Sequence, residues 1–366
     1  MKDLTESREA ITRIDRQMAA LFEERMKVCA DIAAWKGERG LPVKDAAREA
    51  DVIARNRQWI TDPVVEEYYV RFQRHVMDVA CAYEERMLSG LTVAYSGVPG
   101  AFAWMTAKHL FPTAKLVQYG SFSEAYAAVE EGACDCAVLP IENSSAGEVG
   151  QVTDLMFSGP LHINRVYNLP VRHQLLGCPG AKLSDIRTVK SHPQALDQCR
   201  QFLEGQGLVT IAAGNTAMAA QAVAEAGDVT VAAIASAETA SLFGLTVLAE
   251  NIQDSDQNTT RFAVFSRVEN RPAARRKDTE ESFILVFTVK NEAGALAQTL
   301  NIIGAHGFNM RCLRSRPMKD LPWNYYFYVE AEGNIHNENG QDMLRELGVL
   351  CAGLKLVGSF DTDGQA

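Results

Sequence analysis

The chain has 366 residues, of which 47% are hydrophobic and 22% are charged, and its formal net charge is -10. This length exceeds one ordinary core and indicates two or three domains, and the composition excludes a disordered or fibrous chain. The acidic balance argues against nucleic acid as a partner, because phosphate binding needs a concentrated basic surface. No apolar run is long enough for a bilayer and the first residues are charged, so we expect no membrane segment and a cytoplasmic location.

The eight cysteines are scattered along the chain, and only Cys134 and Cys136 lie close together. Paired CxxC motifs, which typically hold structural zinc, are missing from the sequence. We therefore predict buried thiols, no metal site and no cofactor.

Residues 5–88 have a helical pattern, in which apolar residues of the first helix recur seven apart in two rows. Arg25 interrupts one of these rows. A guanidinium facing a helical core costs several kcal/mol unless an anion pairs with it, which predicts an acidic side chain or an anionic ligand beside Arg25. The length of this helix favours packing against a second copy, and thus a homodimer or tetramer.

Residues 92–268 have a different sequence pattern, in which short β-rich runs alternate with Ala-rich helical stretches. This order predicts an α/β domain with a mostly parallel sheet and helices on its faces. Four polar or glycine-rich clusters follow or precede predicted strands: SGVPGAF at 96–102, LPIENSSAG at 139–147, SHPQ at 191–194 and NTTRF at 258–262. Taken singly, such clusters are more often caps and turns than active-site residues.

Residues 270–282 are rich in charge and proline, which indicates a linker. Beyond them the pattern predicts a small α+β domain with the order βαββαβ, which suits a regulatory module.

A set of charged residues in the helical segment resembles the active-site series of the all-helical chorismate mutases. The set comprises Arg8, Arg25, Lys36, Asp45, Arg48, Glu49 and Glu84. By themselves Asp45, Arg48 and Glu49 would describe a solvated salt-bridge face, since they fall at i, i+3 and i+4. The rearrangement of chorismate needs only positioning and charge complementarity, which cationic side chains supply.

The resemblance implies that Arg25, together with Arg8 from a partner subunit, holds the two carboxylates of chorismate. Arg48 would assist at the edge of the substrate, and Lys36 would donate to the ether oxygen as the C–O bond breaks. Asp45 and Glu49 would bind the ring hydroxyl and orient the cations.

Glu84 departs from the family, because glutamine is common at this position and serine is common where the chain has Ala80. The alignment has a second register, which would place Val79 and Tyr83 at these two positions. A glutamate donates a hydrogen bond only when it is protonated, so we expect mutase activity to fall as pH rises.

The motifs PIENSSAG, SHPQAL and TTRF, in this order, resemble prephenate dehydratase. The resemblance implies two α/β lobes joined by crossing strands, like a periplasmic binding protein, with the substrate in the cleft. Thr260 would donate to the departing hydroxyl. Asn143, Ser144, Ser191 and Gln198 would position the hydroxyl and carboxylates, and Arg261 would hold an anionic group. We interpret His192 as structural, because a histidine followed by proline is typical of a helix start.

The C-terminal block resembles an ACT domain, a module that binds amino acids. Gly294, Ala295 and Leu296 resemble its GALV effector loop, and the motif that begins with Arg314 and Ser315 resembles its ESRP motif. The chain departs from these motifs with Ala297 in place of valine and Arg314 in place of glutamate. The resemblance implies phenylalanine as an allosteric inhibitor.

The sequence as a whole thus resembles the bifunctional chorismate mutase/prephenate dehydratase family. It predicts a multidomain protein with an all-α mutase domain at 1–90, an α/β dehydratase domain at 91–268 and an α+β ACT domain at 280–360. Its expected function is conversion of chorismate to prephenate and of prephenate to phenylpyruvate, for phenylalanine synthesis. Two alternatives remain: a dehydratase whose helical domain only dimerises, and a non-catalytic small-molecule sensor.

Overall fold

The structure, a computed structural model, describes residues 3–269, 281–318, 321 and 324–361. The chain divides into two compact units, Met1–Thr92 and Val93–Ala366. The predicted linker at 270–282 lies outside the described residues except for its last two positions. Within the described part of the chain, no helix is long and apolar enough to cross a membrane.

The described residues of the first unit form three α-helices, α1 (Leu4–Gly37), α2 (Ala46–Asn56) and α3 (Pro63–Ser89), and one short 3-10 turn. The sequence places aspartates at the starts of two of them. Asp45 accepts a hydrogen bond from a backbone N–H in the first turn of α2, and Asp62 does the same for α3. These caps fix where the helices begin.

The apolar face of α1 is only partly covered by this unit. The helix has 34 residues and is therefore about 50 Å long. Its contacts with α3 bury Cys29 and Ala33, whereas the side chains of Leu4, Ile11 and Leu21 are 63%, 58% and 65% exposed. Within the described residues of this unit, much of the predicted two-row stripe therefore has no packing partner.

The second unit begins with a first lobe around a mixed sheet. Its elements are β1 (Thr92–Ser96), α4 (Phe102–Leu110), β2 (Lys115–Tyr119), α5 (Phe122–Glu130), β3 (Cys136–Asn143), β4 (Gly147–Glu148), α6 (Gly150–Ser158) and β5 (His162–Pro170). The sheet order is β2-β1-β3-β11-β5, where β11 (Thr259–Ser266) returns from the second lobe.

The second lobe is formed by the chain between β5 and β11. Its elements are β6 (Gln174–Gly177), β7 (Thr188–Ser191), α7 (Pro193–Gln198), α8 (Arg200–Gln206), β8 (Val209–Ala212), α9 (Thr216–Ala226), β9 (Val231–Ala235), α10 (Ala237–Phe243) and β10 (Thr246–Ala249). The strand order is β10-β6-β9-β7-β8.

The structure has the two lobes and the two crossing segments that were expected. The prediction of a mostly parallel sheet was wrong. Strand β11 runs antiparallel to both β3 and β5, and β6 runs antiparallel to both β9 and β10. The reason is that the chain enters and leaves the second lobe along neighbouring strands, which must point in opposite directions. Period-two apolar runs do not reveal this, because they look alike in either direction.

The C-terminal module has the predicted order βαββαβ. Its elements are β12 (Glu281–Thr288), α11 (Ala295–Ala305), β13 (Asn309–Pro317), β14 (Tyr325–Glu332), α12 (Glu338–Leu350) and β15 (Gly353–Asp361). The strands form an antiparallel sheet in the order β13-β14-β12-β15.

Both faces of this module's sheet are covered. The side chains of β12 point alternately to the two faces and join two different cores. Phe283, Leu285 and Phe287 join the core beneath α11 and α12, whereas Ile284 and Val286 join the core of the first lobe. Gly358 lies so close to the backbone of Ile163 on β5 that a side chain could not fit there. The C-terminal module is thus built against the first lobe.

Candidate active sites

The helical unit brings Lys36 and Glu84 together. Lys36 Nζ donates to Glu84 Oε2 at 2.9 Å and to the carbonyl oxygen of Val43 at 2.6 Å. Glu84 and Ala80 are both buried on the face of α3 that packs in this unit, whereas Val79 is 50% exposed. The structure therefore favours the register with Ala80 and Glu84 over the alternative with Val79 and Tyr83.

Arg25 lies half-buried on α1. Its Nη1 donates to the carbonyl oxygen of Val76 at 3.5 Å and lies 3.7 Å from Cys29 Sγ. Among the described residues it forms no ion pair. Of the two partners that the sequence allowed for this guanidinium, an acidic side chain is therefore not found, and an anionic ligand remains.

Glu49 shares the region of Lys36 and Glu84. Its Oε1 lies 3.7 Å from Cys81 Sγ. Burial raises the pKa of the Cys81 thiol, the nearby charges of Glu49 and Glu84 raise it further, and Lys36 lowers it. The charges of Lys36 on α1, Glu49 on α2 and Glu84 on α3 therefore all act on this thiol.

Three other predicted site residues have no observed contact with the cluster of Lys36, Glu49 and Glu84 in the described part of the chain: Asp45, Arg48 and Arg8. Asp45 Oδ1 accepts a 3.0 Å hydrogen bond from the backbone N–H of Arg48, so this carboxylate serves as the cap of α2. The Arg48 side chain is exposed. Arg8 lies seventeen residues before Arg25 on the same continuous helix, a separation of about 25 Å. A single chain therefore does not bring Arg8 to the cluster.

The second unit has a cavity of about 270 Å³ between its two lobes. Residues of both lobes line this cavity. The segment that returns from the second lobe to the first, which contains Asn258 and Thr260, also lines it. The polar residues in its wall are Asn143, His173, His192, Gln194, Gln198, Asn215, Thr216, Asn258 and Thr260. Three of the four sequence clusters provide polar residues to this wall, and the fourth provides Ala101 and Phe102.

Thr260 and Asn143 form the centre of the polar wall. Asn143 Nδ2 donates to Thr260 Oγ1 at 2.9 Å and to Asn258 Oδ1 at 2.9 Å. Asn143 Oδ1 accepts from the backbone N–H groups of Ser145 and Ala146, both at 3.0 Å. Because the Thr260 oxygen accepts from Asn143, its own O–H is available to donate into the cavity.

Gln198 extends this network to the second lobe. Its Oε1 accepts from Asn258 Nδ2 at 2.9 Å and lies 2.9 Å from His173 Nε2. Sequence reasoning missed His173, because a single histidine before an apolar strand carries no distinguishing signal. Asn258 lay inside one of the four clusters, but was not chosen as a site residue.

Ser191 and Ser144 do not line the cavity. The Ser191 hydroxyl is fully buried and donates to the carbonyl oxygen of Ile234 at 2.7 Å. The Ser144 hydroxyl donates to Gln257 O and accepts from the backbone N–H of Thr259. Both hydroxyls therefore join strands and loops, and the structure gives them a structural role in place of the predicted substrate contact. His192, which lies at the start of α7, accepts from the backbone N–H of Gln194 as its cap.

Arg261 also differs from the prediction that it holds a substrate anion. Thr260 and Phe262 on β11 face the cavity, so the side chain between them points to the other face of the sheet. There Arg261 forms a two-bond ion pair with Glu330 of the C-terminal module and a hydrogen bond of 3.2 Å with Glu142. Burial opposes its charge, but the hydrogen bonds with Glu330 prevail and raise its pKa.

Arg314, the residue that replaces a glutamate of the ESRP motif, has a partner in the first lobe. It forms an ion pair with Glu142 and lies over the ring of Tyr328 at 5.4 Å. Ser315, the next residue on β13, is exposed. Gly294 adopts a positive φ of 85° just before α11, where Ala295 and Leu296 begin the helix. The predicted effector residues thus fall at a helix start and along an edge strand.

The two units thus define a class of protein with two separate candidate sites: a cluster of charged residues among helices and a polar cleft between α/β lobes. Two family descriptions match the chain, "Chorismate mutase type II" over residues 7–85 and "Prephenate dehydratase" over residues 93–270. The bifunctional chorismate mutase/prephenate dehydratase of Neisseria gonorrhoeae is 34% identical over 97% of this chain and 96% of its own.

The chain belongs to the bifunctional chorismate mutase/prephenate dehydratase family. Arogenate dehydratase/prephenate dehydratase 1 of Arabidopsis thaliana is 36% identical over 75% of this chain and 73% of its own. The crystal structure of a prephenate dehydratase from Arthrobacter aurescens in complex with L-Phe is 27% identical, covers 74% of this chain and 90% of its own, and has a TM-score of 0.68. The resemblance and the two activities predicted from the sequence are confirmed: the protein is an enzyme of phenylalanine biosynthesis.

Proposed function

We propose that the cavity between the lobes binds prephenate and that Thr260 donates a hydrogen bond to its departing ring hydroxyl. The observation that carries this proposal is the 2.9 Å hydrogen bond from Asn143 Nδ2 to Thr260 Oγ1. It occupies a lone pair of the threonine oxygen and leaves the O–H to point at a ligand.

The reaction breaks two bonds of the substrate. The ring carboxylate leaves as CO2, its bonding electron pair enters the ring, and the C–O bond to the hydroxyl breaks as the ring becomes aromatic. The departing oxygen gains negative charge and needs a proton to leave as water. A threonine hydroxyl is a weak acid, so Thr260 acts by a hydrogen bond that strengthens in the transition state or by relaying a proton.

The carboxylates of prephenate would be bound without a cationic side chain. No lysine or arginine is found among the described residues that line the cavity. Two helices of nine and eleven residues begin in its wall instead, α4 near Phe102 and α9 near Thr216. Helix N-termini offer free N–H groups and a partial positive charge, which favour anions.

In the helical unit, we propose that Arg25 and Lys36 bind chorismate, with Glu49 and Glu84 beside them and Arg48 at the edge. The half-buried Arg25 guanidinium without an ion pair among the described residues supports this proposal. Arg8 would come from a partner subunit, because it lies about 25 Å away along α1.

We also propose that two chains pair through the apolar face of α1, since isolated apolar stripes of this length are seldom left in water. Sedimentation of the full chain should show a dimer or a larger even assembly. A cytoplasmic location, expected from the sequence, stays a prediction.

The C-terminal module is proposed to be an ACT domain that binds phenylalanine. The βαββαβ order, the start of α11 at Gly294 and the relative described in complex with L-Phe support this. Calorimetric titration of the full chain with phenylalanine should give saturable heat and inhibition of dehydration. Absence of both would contradict this proposal.

The two activities are tested with a pair of matched variants. We expect Thr260→Ala to lower dehydration about 100-fold or more while chorismate is still consumed. Arg25→Ala should have the opposite pattern, and Thr260→Ser, which keeps the hydroxyl, should lose less dehydration than Thr260→Ala. Equal loss of both activities in either alanine variant would contradict the assignment of two separate sites.

A further inference from the structure

The second lobe contributes two polar residues to the cavity wall at the start of α9, Asn215 and Thr216. The chain just before them is anchored where the parallel strands β7 and β8 end, because the N–H of Ala213 donates to the carbonyl oxygen of Ser191 at 2.8 Å. Neither residue belongs to the four polar clusters of the sequence. They line the cavity from the second lobe, whereas Thr260 lines it from the first.

The side-chain amide of Asn215 is fixed as a hydrogen-bond donor. Its Oδ1 accepts a 2.7 Å hydrogen bond from the backbone N–H of Met218 and so caps α9. A backbone N–H only donates, so the amide oxygen must face it and Nδ2 must point away from it. Within the described part of the chain Nδ2 has no hydrogen-bond partner, yet it is not among the atoms that burial separates from solvent. The amide therefore presents accessible N–H groups.

The hydroxyl of Thr216 is also without a protein partner. The residue is 9% exposed, its hydroxyl forms no hydrogen bond with any described residue, and its oxygen still has accessible surface. Because the residue lines the cavity and is otherwise buried, its hydroxyl opens into the cavity. A hydroxyl in such a position is unfavourable unless a ligand or water bonds to it.

The helix supplies further donors at the same place. α9 has eleven residues, and the first N–H groups of a helix have no acceptor within it. Together with the partial positive charge of a helix start, these groups favour an anion. The amide oxygen of Asn215 is already occupied by Met218, so this part of the wall offers donors and suits a carboxylate.

Prephenate has two carboxylates at the end of the ring opposite its hydroxyl. The ring carboxylate leaves as CO2 and its charge passes into the ring, so donors that hold it would stabilise the substrate more than the transition state. The carboxylate of the pyruvyl side chain keeps its charge throughout. We propose that Asn215 Nδ2, the Thr216 hydroxyl and the first turn of α9 bind the pyruvyl carboxylate of prephenate. This inference rests on the binding of prephenate in the cavity proposed above.

The two ends of the substrate are thus held by different lobes. Thr260 of the first lobe donates to the ring hydroxyl, and the start of α9 in the second lobe holds the side chain at the opposite end. Because the pyruvyl carboxylate has the same charge in the substrate and in the transition state, Asn215 and Thr216 contribute to both equally. Their loss should raise KM and leave kcat nearly unchanged.

The test uses substitutions of similar shape in the full chain. Thr216→Val loses the hydroxyl, whereas Thr216→Ser keeps it. Asn215→Asp still caps α9, because aspartate is as good an N-cap as asparagine, but it replaces the N–H donors with a negative charge. For dehydration of prephenate, we expect KM to rise roughly tenfold or more in the Val and Asp variants, with kcat within about twofold of the parent and KM in the Ser variant near the parent value.

Phenylpyruvate shows which carboxylate is held. It retains the pyruvyl side chain but has neither the ring carboxylate nor the ring hydroxyl, so its competitive inhibition constant should rise with KM in Thr216→Val and Asn215→Asp. An inhibition constant equal to that of the parent chain, or a loss of kcat with KM unchanged, would overturn the proposal.

The matched control is Asn337→Asp. Asn337 caps α12 by accepting from the N–H of Gly340 at 2.7 Å, and it lies outside the described wall of the cavity, so KM should stay at the parent value. A rise in KM as large as that of Asn215→Asp would contradict the proposal. Full dehydration in Thr260→Ala would instead refute the proposed function of the cleft. An inactive Thr260→Ala beside an unchanged KM in Thr216→Val and Asn215→Asp would refute this inference alone.

Discussion

Lys36 Nζ donates a 2.9 Å hydrogen bond to Glu84 Oε2, and the Glu84 side chain is only 8% exposed. In this arrangement the carboxylate is an acceptor. In the proposed mutase site, the ether oxygen of chorismate needs hydrogen-bond donors as the C–O bond breaks. A carboxylate at Glu84 cannot donate to that oxygen and competes with it for Lys36, so a neutral donor at this position would suit the reaction better.

Glu84→Gln should therefore raise mutase activity. The amide can donate to the ether oxygen and does not hold Lys36 as an ion pair does, so we expect a gain of roughly tenfold or more. Initial rates of chorismate consumption by the full chain would measure this. Dehydration of prephenate by the same preparations is the control, and a Gln variant that is slower than the parent chain would contradict the idea.

Arg8 and Arg25 should complement each other between chains. If Arg8 enters the site of a partner subunit, Arg8→Ala and Arg25→Ala each lose mutase activity, but a mixed dimer contains one site with both arginines intact. Exchange of subunits in a 1:1 mixture should restore about a quarter of the parent activity, since half of the dimers are mixed and each has one good site. A mixture that stays as inactive as its components would show that both arginines act within one chain.

Arg314→Leu should destabilise the second unit. Arg314 and Glu142 are 20% and 26% exposed as side chains, so removal of the guanidinium leaves a largely desolvated carboxylate with Arg261 alone. We expect the free energy of unfolding to fall by about 2 kcal/mol. Urea unfolding of the full chain, followed by a probe in the second unit, would measure the change.

The matched control for Arg314 is Arg345→Leu. Arg345 pairs with Asp342 on α12, where the two side chains are 74% and 45% exposed, so its loss should change stability by less than about 0.5 kcal/mol. A double-mutant cycle of Arg314→Leu with Glu142→Gln should reveal a coupling of about 1 kcal/mol or more. Equal effects of the Arg314 and Arg345 substitutions would show that the ion pair between Arg314 and Glu142 adds no stability.

Lys355 should make stability depend on pH. Its Nζ donates to the carbonyl oxygens of Met156 and Gly159 at the end of α6, and burial lowers its pKa from 10.5 to about 8. Between these values the unfolded chain binds more protons at this residue than the folded chain, so its contribution to stability rises with pH. Below about pH 8 the folded state bears the full cost of a buried ammonium.

The measurement is the difference in unfolding free energy between Lys355→Met and the parent chain. Because methionine has no charge to bury, the Met variant should be favoured most at pH 7 and progressively less as pH rises toward 10. A difference that does not vary with pH would mean that the ammonium keeps its ordinary proton affinity through its two carbonyl contacts.

Local features of the sequence determined much of this protein. Aspartates at the starts of α2 and α3, the histidine and proline at the start of α7 and the βαββαβ order of the C-terminal module all depend on neighbouring residues, so one sequence suffices to predict them. The charged series in the helices and the polar clusters at strand ends likewise indicated both activities. Both activities could be predicted because the motifs that indicate them are short stretches of sequence.

Only the tertiary structure decided which of these polar groups face the cavity between the lobes. Arg261 turns to Glu330, and Ser191 binds the backbone of β9, although both residues stand in motifs that otherwise line the cleft. His173 joins the cleft from a segment without a motif, and Arg314 finds Glu142 from far along the chain. The physical reason is that the face of a strand and the partner of a charge depend on pairing between distant segments, and that register is set by packing of the whole unit rather than by the residues next in sequence.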